Sequence, residues 1–89
     1  MKTIFKYKLA GQVSQTIEIP VGAEILDIQV QNSIPCIWAL CDPYYSLEKR
    51  VFEIFGTGNG IPYRANRKYI GTYQLNNGNE VYHCFELLE

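Results

Sequence analysis

The stretch GTGNGIPYRANRK, from Gly56 to Lys68, gathers residue types that can hold an anion. Three glycines fall within five residues, and glycine lets successive backbone N–H groups converge on one point. Thr57 adds a hydroxyl. Arg64, Arg67 and Lys68 bring positive charge, the arginines as planar forks suited to phosphate. Tyr63 and Tyr69 offer rings on which a base can stack. The candidate ligand-binding set is therefore Gly56, Thr57, Gly58, Asn59, Gly60, Tyr63, Arg64, Arg67, Lys68 and Tyr69. The charge around it is one-sided, because no Asp or Glu occurs from Ile54 to Asn79. The spacing is neither that of the P-loop, whose Lys-Ser/Thr ending is missing, nor that of the dinucleotide fingerprint. A plainer reading is a solvated connection in which the glycines turn the chain and Pro62 stiffens it.

Catalytic chemistry is poorly supplied. His83 is the only histidine. Cys84 follows it, but adjacent strand residues point to opposite faces, so the two form no nucleophile–base pair. No carboxylate stands near the basic stretch in the sequence. The expectation is a protein that is not an enzyme, with no catalytic residue and no cofactor. The three cysteines, Cys36, Cys41 and Cys84, are odd in number and form no CxxC pair, and one histidine is too few for a usual zinc site. They read as small buried hydrophobes in a reducing cytosol.

Aromatic residues mark a second candidate surface. Trp38 sits in CIWALC, a run apolar on both faces, as in a central strand covered on both sides. One cover is the core; the other is a subunit interface or a bound partner. Tyr44 and Tyr45 follow Asp42-Pro43 on a loop, where paired aromatics suit a partner. Trp38, Tyr44 and Tyr45 form the candidate partner surface.

The elements that must position these residues follow a period of two. TIFKYKL sets Thr3, Phe5, Tyr7 and Leu9 against a lysine face. VSQTIEIP points Val13, Ile17 and Ile19 inward and ends at Pro20, and it is expected to pair with the first strand as a hairpin. EILDIQVQ puts Leu26, Ile28 and Val30 on one face. DPYYSLEKR reads as a loop with at most one helical turn, followed by the strand VFEIF. YIGTYQL and EVYHCFELL form a hairpin around Asn77-Gly78. That register sets Tyr73 opposite Tyr82, Thr72 opposite His83 and Ile70 opposite Phe85. It places Ile70, Thr72, Val81, His83 and Phe85 on one face and Tyr69, Tyr73, Tyr82 and Cys84 on the other. The expected fold is all-β: one domain over residues 1–89, a small antiparallel sandwich or barrel of about seven short strands.

Composition narrows the function. Eight Lys and Arg against nine Asp and Glu leave a net charge of −1, too little for a general nucleic-acid binder. No secretory signal is read at the start, and no apolar run is long enough to span a membrane as a helix. Seven tyrosines around a small core favour self-association as a homo-oligomer.

Across nearly the whole chain the sequence resembles a family of small bacteriophage- and prophage-encoded proteins. The resemblance is carried by Trp38, Asp42-Pro43, Gly56-Thr57-Gly58, Tyr69-Ile70-Gly71-Thr72 and His83 with Phe85-Glu86. Family members tend to carry a histidine after Gly-Thr-Gly, where this chain has Asn59. The resemblance brings no activity, but it implies a viral protein in a bacterial host cytoplasm. The resulting expectation is an anti-defence factor that sequesters a small anionic ligand, such as a nucleotide signal. The alternatives are a protein–protein inhibitor of a host defence component and a virion or assembly accessory protein.

Overall fold

Seven antiparallel strands build two sheets that pack face to face as a sandwich. The structure, a computed structural model, describes residues 1–64 and 66–88; Ala65 of the basic stretch and Glu89 lie outside the described residues. The strands are β1 (Thr3–Lys8), β2 (Ser14–Pro20), β3 (Glu24–Gln31), β4 (Ile34–Cys41), β5 (Leu47–Gly56), β6 (Arg67–Leu75) and β7 (Glu80–Leu87). One sheet has the order β1-β4-β3 and the other β2-β5-β7-β6.

This arrangement corrects the expected β1–β2 hairpin. β1 pairs with β4 and β2 with β5, so the Leu9–Val13 connection crosses from one sheet to the other. The chain changes sheet because both strands carry one apolar face, and facing sheets bury both at once. The two true hairpins are β3–β4 and β6–β7. Their turns are left-handed, with φ of 53° and 65° at Asn32 and Ser33, and 52°, 56° and 84° at Asn76, Asn77 and Gly78. Such turns match the twist of paired strands, and Asn and Gly tolerate them best.

The core fills the space between the sheets. Ile19, Ile28, Ile37, Ala39, Phe52 and Cys84 are its centre. Cys36, Cys41 and Cys84 are all buried and unpaired. Two β-bulges adjust which residues enter the core. One, between Ile25 and Asp27, turns Ile25 inward and leaves Leu26 exposed, against the simple alternation. The other, between Tyr69 and Gly71, pairs Tyr69 with Phe85, so the expected Ile70–Phe85 pair does not form. Ile70 packs against the core instead, and Tyr69 joins the opposite face.

Asp42–Ser46 forms a tight turn without helix: Tyr45 N–H donates to Asp42 O, and Asp42 Oδ1 accepts from Tyr44 N–H. β4 is central, as expected, yet its outer face is only partly covered. Cys36 is buried there and Trp38 is half-buried, while Lys6 of β1 donates to Gln31 of β3 across the strand between them. Among the described residues no helix is long and apolar enough to cross a membrane.

Candidate functional site

The sandwich is open at the end where β1 leads into β2 and β3 into β4. A cavity of about 710 Å³ lies there. Leu9, Ala10 and Val13 form one wall and Ile34 and Pro35 a second. Ile54, Phe55 and Gly56, at the end of β5, form a third, and Tyr73, Leu75 and Tyr82 close it from the β6–β7 hairpin. The loop after β5 contributes Asn59, Gly60 and Pro62 to the rim. Two backbone bonds hold the frame: Leu9 N–H donates to Pro35 O, and Ile54 N–H to Val13 O. The size suits a small molecule, and the walls are the apolar and aromatic kind that such sites use.

The polar groups in this cavity are few and uncharged. Gln12, Ser33 and Asn59 sit at the exposed rim. Tyr73, which is buried, and Tyr82, which is half-buried, lie opposite each other with ring centroids 5.5 Å apart. The Tyr82 hydroxyl donates to Glu80 Oε1 at 2.8 Å, which raises its pKa. Tyr73 is only 7% exposed, and burial pushes its hydroxyl up to about 12. Among the described residues no Lys, Arg, Asp or Glu lines the cavity.

The basic stretch is therefore divided. Gly56, Asn59 and Gly60 line the cavity, but the glycine loop does not open its N–H groups onto a common point. Thr57 N–H is engaged by Val81 O and Asn59 N–H by Gly56 O. The Asn59 side chain folds over Gly56, where an added Cβ would meet Asn59 Nδ2 at 2.9 Å. Gly58 turns the chain at φ 86°. Tyr63, Arg64 and Lys68 are exposed and outside the cavity.

Arg67 faces inward. Its Nε donates to Glu53 Oε1 at 2.8 Å, and its Nη1 to Pro62 O at 2.7 Å. Its guanidinium carbon stands 5.3 Å from the Phe55 ring centroid and 5.8 Å from that of Phe85. The remaining nitrogen, Nη2, is buried without a hydrogen-bond partner among the described residues. Arg67 thus clamps the loop to the outer face of β5 and β7, and its guanidinium is buried against Glu53, Phe55 and Phe85. The sequence reading missed Glu53 because that acid precedes the acid-free stretch and reaches it only across the sheet. Glu86 is a second buried acid, held by a forked contact from Arg50, whose Nη1 also donates to Ala23 O. In both VFEIF and CFELL a lone Glu interrupts an apolar run, which is the signal for an internal ion pair.

Tyr69 and His83 meet on that same outer face. His83 Nδ1 lies 3.0 Å from the Tyr69 hydroxyl and 3.1 Å from Thr72 Oγ1, and Nε2 lies 2.7 Å from Thr57 Oγ1. Tyr69 and Thr72 also bond to each other. Both ring nitrogens are satisfied by hydroxyls, so His83 ties the Gly-Thr-Gly turn to the hairpin. Cys84 faces the core on the other side of the sheet, and burial pushes its thiol up to about 12. Among the described residues no group of three or more His, Cys, Asp or Glu is placed to hold a metal ion. Tyr44 and Tyr45 are 92% and 58% exposed on the β4–β5 turn, whereas Trp38 of β4 is half-buried.

Fold and site together define a small two-sheet β-sandwich with an apolar cavity at one end. The chain belongs to the family described as Domain of unknown function (DUF7352), which matches it over residues 1–89. Neither a curated protein nor a solved structure matches the chain.

Proposed function

We propose that this protein is a binding protein rather than an enzyme, and that the end cavity holds a small, uncharged ligand. The observation that carries this reading is the 710 Å³ cavity walled by apolar and aromatic side chains, with no charged residue lining it among the described residues. An anion placed inside would lose its hydration without gaining a counter-charge. A nucleotide would have to keep its phosphate outside, in water or beside the exposed Arg64. Taken with the bacteriophage resemblance, the role is sequestration of a small molecule in a bacterial cytoplasm.

A melting scan against neutral ring compounds, nucleosides and linear and cyclic nucleotides tests this. Ligand at about a hundredfold above its dissociation constant adds about 2.7 kcal/mol of stability. The expected result is a shift with neutral rings, carried into nucleotides only through their bases. Silence from every neutral probe at millimolar concentration rejects the cavity as a site. A shift with nucleotides alone, lost in Arg64→Ala, restores the anionic reading.

A second reading rests on Tyr44 and Tyr45, which project from a turn stiffened by Pro43. Such aromatics fit a protein partner. Capture of a host protein by the wild type, lost on Tyr44→Ala with Tyr45→Ala, would support it.

A further inference from the structure

Resting on the cavity reading above, we infer that Tyr73 is the specificity-determining residue of the site, donating a hydrogen bond from its hydroxyl to a ligand that carries one acceptor, such as a ketone oxygen, on an apolar ring body. The two facing tyrosines differ in one respect. The Tyr82 hydroxyl already donates to Glu80, whereas no hydrogen bond joins the Tyr73 hydroxyl to a described residue. The Tyr73 hydroxyl is not among the buried unpartnered atoms, so water reaches it in the free protein, and a ligand that displaces this water leaves the hydroxyl unpaired unless it brings an acceptor. Tyr73 lines the cavity, as do Leu9 and Ile54, whose side chains belong to the core between the sheets. Leu9 and Ile54 set an apolar body beside the Tyr73 donor. Gln12, Ser33 and Asn59 are exposed at the rim, where water already satisfies them.

The donor role also follows from charge. Burial keeps the Tyr73 hydroxyl protonated through the physiological range, so it offers a proton and not a negative charge. A ligand bearing a carboxylate or phosphate would gain the same bond, but it would bring an unpaired charge into a cavity that no cation lines among the described residues. The class is therefore a neutral acceptor: a ketone, lactone, amide carbonyl or ring nitrogen.

A matched probe pair tests the assignment. 1-Indanone and indane have the same ring body and differ in the carbonyl. Each is titrated into the wild type, Tyr73→Phe and Tyr82→Phe, and binding is read by ligand-observed NMR. Wild type should favour indanone over indane by roughly two- to tenfold, the range of one neutral hydrogen bond. Tyr73→Phe should erase that preference while indane still binds, and Tyr82→Phe should keep it. The carbonyl stretch of indanone bound to the wild type gives a reading without substitution, and it should fall below its value in an apolar solvent. If both probes bind and the preference is absent, or survives Tyr73→Phe, the Tyr73 assignment is wrong and the cavity reading stands. An unshifted carbonyl stretch also overturns the Tyr73 assignment alone. If neither probe binds the wild type, both readings fall together.

Discussion

Gly71 lies directly against Ile28: a Cβ added to Gly71 would stand 3.0 Å from Ile28 Cγ2 and 3.9 Å from Asp27 Oδ1. Here β3 and β6, edge strands of opposite sheets, close one side of the sandwich. Both β-bulges flank the contact, one ending at Asp27 and the other at Gly71. The bulges swing the two backbones together, and glycine is the residue that allows the approach.

Gly71→Ala should therefore destabilise the fold by about 1–3 kcal/mol, the cost of overpacking a filled site. Ile28 is buried and has little room to retreat. Gly11→Ala, where a Cβ meets nothing within 4 Å, is the control and should be near neutral. Urea unfolding of the two variants checks this. Equal midpoints would show that the strands can part without cost.

The Arg67–Glu53 pair should prove structural. Its side chains are 9% and 11% exposed, and Arg67 also pins Pro62 at the rim of the cavity. Removing one partner of a buried pair costs about 3–5 kcal/mol, whereas apolar replacement of both often recovers it. Glu53→Ala should therefore unfold at much lower denaturant, and Glu53→Leu with Arg67→Met at a midpoint nearer the wild type. A loss below about 1 kcal/mol in Glu53→Ala would mean the pair behaves as an exposed one.

Alkali should loosen the protein in two stages. Cys84 is raised from 9.0 to about 12, and Tyr73 from 10.0 to about 12, both mainly by burial. A folded-state pKa above the unfolded value means stability is complete below the unfolded value and is lost as pH rises toward the folded one. The melting temperature should begin to fall above about pH 9 and fall more steeply above about pH 10. Cys84→Ala should remove the first stage. Thermal melts from pH 7 to 11, with tyrosinate absorbance followed alongside, read both. A flat profile across pH 9–11 would contradict the burial of these groups.

Much of the fold was legible in residue order. Asn77-Gly78 announced the β6–β7 turn, and the pairs Tyr73–Tyr82 and Thr72–His83 follow from it by counting. The count failed at Ile70, because a bulge adds one residue to β6 and moves Tyr69 to the face of His83. Alternation gave no warning, since both Tyr69 and Ile70 suit either face. The candidate site was legible only in pieces. Gly56, Asn59 and Gly60 do line the cavity, but Tyr73, Leu9 and Val13, distant in sequence, form as much of it.

Residue order by itself determined the strands, their turns and the inward face of most of them, because alternation and left-handed turn residues act over two to four positions. Tertiary structure alone decided that β1 crosses to β4 and not to β2, and that Arg67 answers Glu53 across the sheet. It also decided that an end of the sandwich stays open beside Tyr73. Those outcomes depend on which sheets face each other, and pairing of buried faces and charges across a sheet is set by packing rather than by neighbours along the chain.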